Sequence, residues 1–150
     1  MAYKSIIVGT DGSETAERAV ITAAGLAAAD DARLVVVTAY EESRSAAGDI
    51  AADRVPVDIR HVLTERVQAE ELAERGRAAA REAGASSVTV QALPGEPGEV
   101  LLQAAKDFAA DVIVVGSRGL TSHAHFILGS VAATVTHHAP CDVLVAHTTD

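Results

Sequence analysis

Five short runs rich in β-branched residues divide this chain, and a helical pattern follows each of the first four. No other feature constrains the fold as tightly. The runs are Ser5–Gly9, Arg33–Tyr40, Ser87–Leu93, Asp111–Ser117 and Asp142–His147. Alternating strands and helices lay successive strands parallel, with the helices covering both faces of the sheet. Ile6–Val8, Leu34–Val37 and Val112–Val115 are uninterrupted apolar runs, as expected of strands buried on both sides. In Ser87–Leu93, Val88, Val90 and Ala92 alternate with Thr89 and Gln91, the pattern of an edge strand. Asp142–His147 is short and mostly apolar, which suits an edge covered by another chain.

The connecting segments read as helices from their apolar spacing. Glu14–Ala29 repeats Ala16, Ala19, Val20, Ala23, Ala24 and Ala27 on one face, with Ser13 placed to cap it. Thr64–Ala83 sets Leu72, Gly76, Ala79, Ala80 and Ala83 on one face and stops at Gly84. Glu99–Ala110 directs Val100, Leu101, Ala104, Ala105 and Phe108 inward, and Ser130–His138 is a short helix ended by Pro140. Aromatic residues make up only 3% of the chain, so Val, Ile, Leu and Ala must fill the core. Glu41–Val62, holding Ser43, Ser45, Gly48 and Pro56, reads as one long irregular segment at the carboxyl end of the second strand.

With 150 residues, one domain is expected over 1–150. A net charge of −9 opposes binding to nucleic acid or to an anionic membrane. Gly119–Cys141 carries no charged side chain, yet His123, His125, His137, His138 and Pro140 make it uncharged rather than apolar. No membrane insertion is expected, and nothing near Lys4 resembles a signal peptide; the location expected is cytoplasmic. A single cysteine, Cys141, excludes an internal disulfide framework and reads as a packing residue.

Two loops carry the chemistry. After the fourth strand come Gly116, Ser117, Arg118 and Gly119, then nine residues, then Gly129 and Ser130 opening a helix. Glycines let backbone N–H groups approach an anion closely, and a helix N-terminus offers unpaired N–H groups at the positive end of its dipole. Ser117, Arg118 and Ser130 can add side-chain donors. After the first strand, Val8–Ser13 holds Thr10 and Asp11. Asp11 could accept from ribose hydroxyls or help hold a metal near phosphate; equally, Asp11 and Ser13 could simply cap the following helix. If strands one and four are neighbours, both loops open into one crevice at the switch point.

Several chemistries are missing. The P-loop Gly-x-x-x-x-Gly-Lys-Ser/Thr, the dinucleotide Gly-x-Gly-x-x-Gly and the hydrolase Gly-x-Ser-x-Gly do not occur at these positions. His123 and His125 have the spacing of a metal pair but no third ligand to match, so no metal site is expected of them. His137 and His138 end a helix, where positive charge suits the dipole.

These stretches together resemble the universal stress protein family along the whole chain. The resemblance rests on IIVGTDGS near the start, VIVVGSRGL with LGSV after it, and HHAPCDVLV. The family signature Gly-x2-Gly-x9-Gly-Ser/Thr is matched by Gly116, Gly119, Gly129 and Ser130. The resemblance implies a Rossmann-like α/β fold: a single open, twisted, five-stranded parallel sheet of order 3-2-1-4-5 with four helices. It further implies ATP, with or without Mg2+, at the carboxyl ends of strands one and four. Asp11 would face ribose or phosphate, the Ala39 backbone would meet the adenine edge, and Thr10 would belong to the nucleotide site. Val115, Gly116, Ser117, Arg118, Gly119, Gly129, Ser130 and Val131 would surround the phosphates. Some similar family members prefer cyclic AMP, which stands as the alternative ligand. The resemblance also implies a homodimer through Asp142–His147, acting as a stress-response sensor toward an unidentified protein partner. No enzymatic activity is expected beyond, at most, weak ATP hydrolysis.

Overall fold

The computed structural model describes residues 2–42, 55–117 and 128–148, with 55–63 described as backbone only. Strands β1 (Ser5–Gly9), β2 (Arg33–Tyr40), β3 (Ser87–Pro94), β4 (Val112–Gly116) and β5 (Asp142–Ala146) form one sheet of order β3-β2-β1-β4-β5. Every neighbouring pair is parallel. Helices α1 (Glu14–Asp30), α2 (Val55–Glu82), α3 (Pro97–Asp107) and α4 (Ser130–His138) connect them. The expected fold class and strand order are thus observed, with the alternating strand at one edge.

Both faces of the three central strands are buried. Ile6, Val8, Leu34, Val36, Val112 and Val114 point toward α1 and α2, where Ala19, Ala23, Ala24, Ala27 and Ala80 complete one core. Ile7, Val35, Val37, Ile113 and Val115 point toward α3 and α4, meeting Val100, Leu101, Ala104, Ala105, Ala132 and Val135. Side chains alternate along a strand, so covering both faces requires an apolar residue at every position. Alanine on the helices lets them lie close against the β-branched sheet.

The helix ends follow their local chemistry. The Ser13 hydroxyl accepts the Ala16 N–H and starts α1. Gly84, at φ +109°, takes the turn beyond α2 that an L side chain resists. One expectation needs correction: Glu41–Val62 is not irregular throughout, because α2 already begins at Val55. Pro56 does not break this helix, because in a first turn its missing N–H removes no helical bond. Residues 43–54 lie outside the described residues.

At the amino edge of the sheet, Asp111 ties two strands together. Its Oδ2 accepts the N–H groups of Lys4 at 2.8 Å and Ser5 at 2.9 Å. These two bonds hold its carboxyl below the usual carboxylate range. A carboxyl depressed by folding stabilises the fold above its unfolded pKa, and that contribution fades as pH falls through the folded value. Asp111→Asn should therefore flatten the acid side of the melting profile below about pH 4. Thermal melts from neutral pH downward read this directly, and an unchanged acid slope would remove Asp111 from the account.

Candidate functional site

The chain runs from β1 outward to β2 and β3, then crosses back to β4 and β5 on the other side. The connections leaving β1 and β4 therefore diverge and open a crevice at the carboxyl end of the sheet. Register places the two strands side by side, with Val8 opposite Val114. A cavity of about 170 Å³ lies there. Val37, Ala39, Val100, Leu101, Val115, Val131 and Ala132 give it apolar walls, while Thr10, Asp11, Ser13, Thr15 and Ser130 bring hydroxyls and one carboxylate.

Two loops meet at this cavity in different states of satisfaction. The loop from β1 is bonded to β2 and to itself. Thr10 N–H reaches the Val37 carbonyl at 2.9 Å, Asp11 Oδ1 accepts the Ser13 N–H at 2.9 Å, and Thr10 Oγ1 accepts the Gly12 N–H at 3.2 Å. Asp11 and Ser13 thus serve the start of α1, as the capping reading held, while also lining the cavity. By contrast, α4 is capped by Gly129, and among the described residues no side chain caps its first turn. Its opening residues Ser130, Val131 and Ala132 line the cavity, which places the positive end of the helix dipole there.

Of the residues expected to form the site, Thr10, Asp11, Ala39, Val115, Gly116, Gly129, Ser130 and Val131 come together around this one space. Ser117 does not line it; its hydroxyl lies instead against Thr148. Arg118 and Gly119, like His123 and His125, lie outside the described residues.

Residues not anticipated include Gly9 at the end of β1, Ser13, Thr15 and Ala16 at the start of α1, and Pro97, Val100 and Leu101 from α3. Their signal was the Pro97–Gly98 pair, a further βα turn at the same carboxyl edge. Gly98 lets α3 approach α4, since a Cβ there would stand 2.9 Å from Thr134 Cγ2.

Elsewhere the titratable groups read as structural. Burial, then the Asp142 charge, pushes the Cys141 thiol up, which disfavours the reactive thiolate. Among the described residues, no group of three or more His, Cys, Asp or Glu side chains could hold a metal ion, and no helix is long and apolar enough to cross a membrane.

An open, doubly wound α/β protein with a polar-rimmed cavity at its switch point is the class defined by this fold and site. The chain belongs to the universal stress protein family, whose model matches residues 2–147. It is 39% identical over 152 aligned residues to a universal stress protein of Mycobacterium tuberculosis, covering 99% of each chain. A universal stress protein solved in complex with cAMP superposes with a TM-score of 0.74 at 32% identity, covering 99% of this chain and 100% of that one. The universal stress protein of Archaeoglobus fulgidus in complex with dAMP gives a TM-score of 0.68 at 25% identity, with 97% and 98% covered.

Proposed function

We propose that the crevice binds an adenine nucleotide, and that the protein acts as a dimeric stress-response regulator in the cytoplasm. One observation carries the reading: the glycine-capped start of α4 and the Thr10–Asp11 loop face the same apolar cavity. The apolar walls suit a base, and the main-chain donors at the start of α4 suit a phosphate. ATP is the ligand favoured by the glycine signature, with Arg118 as a further donor. Asp11 is the sole carboxylate of the described lining, so it is the residue toward which a Mg2+ on the phosphates would turn. Cyclic AMP is the second reading, supported by the cAMP complex of the relative above.

Isothermal titration of the purified protein with ATP, cAMP and adenosine tests this reading. Saturable binding of ATP or cAMP, tighter than adenosine, is expected, and competition between the two nucleotides ranks them. Failure of both nucleotides to bind would overturn it. Phosphate release held at the buffer blank with ATP bound would dismiss hydrolysis.

The dimer would form along β5. This strand closes the sheet, nothing among the described residues pairs with its outer side, and Val145 remains 38% exposed. An apolar edge strand is a template for pairing with another chain. The expected interface ran to His147, whereas the strand ends at Ala146. Val145→Lys should convert a dimer to a monomer in size-exclusion chromatography with light scattering. A wild-type protein that is monomeric at every concentration would count against the interface.

A further inference from the structure

Resting on the adenine-nucleotide reading above, we propose that Ser117 is a positioning residue for the phosphate end of the crevice, acting through Gly129 without touching the ligand. Ser117 follows β4 directly and joins three separate pieces of chain. Its N–H donates to the Ala146 carbonyl at the end of β5, at 2.9 Å. Its carbonyl accepts the Gly129 N–H at 3.0 Å. Its hydroxyl accepts the Thr148 N–H at 3.2 Å and pairs with Thr148 Oγ1 at 3.2 Å. Thr148 is only 1% exposed, and neither it nor Ser117 lines the cavity.

Gly129 is the N-cap of α4 and has no side chain with which to fix its own position. The bond to Ser117 therefore helps set where the helix begins and where its first N–H groups point. Those donors can hold a phosphate only if they converge on it, because hydrogen bonds weaken steeply with misalignment. A site loosened by about an ångström loses function even when every contacting group is present. Thr148, buried beyond β5, is thus the anchor, and Ser117 transmits its position to α4.

A direct contact between the Ser117 hydroxyl and phosphate makes the opposite prediction for Thr148, and this separates the two roles. Titration with adenosine and with the tighter of ATP and cAMP gives, for each variant, the ratio of nucleotide to adenosine affinity. Ser117→Ala should lower that ratio about tenfold, the worth of one well-placed hydrogen bond, with adenosine affinity unchanged. Ser117→Thr, which keeps a hydroxyl, should restore it. Thr148→Val, which removes one of the two Thr148 contacts, should lower the ratio in the same direction and serves should Ser117→Ala fold poorly.

An unchanged or raised ratio in Thr148→Val, with a lowered ratio in Ser117→Ala, would make Ser117 a ligand contact and overturn the inference. Equal losses for nucleotide and adenosine would reduce it to a general stabilising role and overturn it as well. If wild type binds no nucleotide, the functional reading fails and this one falls with it. If wild type binds nucleotide and neither variant moves the ratio, this one alone fails.

Discussion

Ala39→Trp should weaken nucleotide binding about 100-fold while moving the melting temperature by less than about 4 °C. Ala39 lies near the carboxyl end of β2, on the same face as Val37, and both belong to the apolar wall of the cavity. An indole at this position would occupy much of a space of about 170 Å³. If adenine lies there, exclusion forfeits on the order of 100 Å² of apolar burial, or about 2.5–3 kcal/mol. The fold should tolerate the change because Ala39 is only half-buried and the added ring projects into open space. Since the natural chain contains no Trp, the new indole also reports its own surroundings by fluorescence. A folded variant that binds ATP or cAMP as wild type does would show that the base sits elsewhere.

The balance between what the residues disclosed and what they hid follows from the range of each interaction. Ile6–Val8, Leu34–Val37 and Val112–Val115 announced a sheet buried on both faces because that burial acts on every residue of the run. Ser13, Gly84 and Pro140 marked helix ends because caps and breakers act within a turn of themselves. The start of α2 was hidden: Val55, Val57 and Ile59 are weak helix formers, and Pro56 resembles punctuation until its place in the first turn is known. At the site, the glycine and Asp11 loops were legible because their residues are contiguous. Val100 and Leu101 read only as core residues, since their share in the cavity depends on where α3 lies relative to β1 and β4. The contact between Ser117 and Thr148 was hidden because its two partners lie 31 residues apart and nothing local links them.

One substitution, glycine to alanine in a helix interior, should have opposite signs at two places in this molecule. In an open helix it is favourable by about 0.5–1 kcal/mol, because glycine loses more backbone freedom on folding. Gly25 in α1 is exposed, and a Cβ there would meet nothing within 4 Å, so Gly25→Ala should raise stability by about that amount. Gly76 is the seat of α2 on β2. A Cβ there would stand 2.7 Å from Val36 Cγ1 and 3.4 Å from Thr10 Cγ2. Val36 is fully buried in the strand beside β1, with sheet neighbours on both sides, so it has little room to yield. Overpacking of this kind costs about 1–3 kcal/mol, enough to reverse the propensity gain in Gly76→Ala. Gly76→Leu should cost at least about 3 kcal/mol and lower the melting temperature by roughly 6–12 °C. Because Thr10 also lines the cavity, the Leu variant should weaken nucleotide binding as well. Urea unfolding of the three variants reads the signs. Stabilisation by Gly76→Ala would mean that α2 lifts away from the sheet at little cost, and that the close approach at Gly76 does not set the position of Thr10.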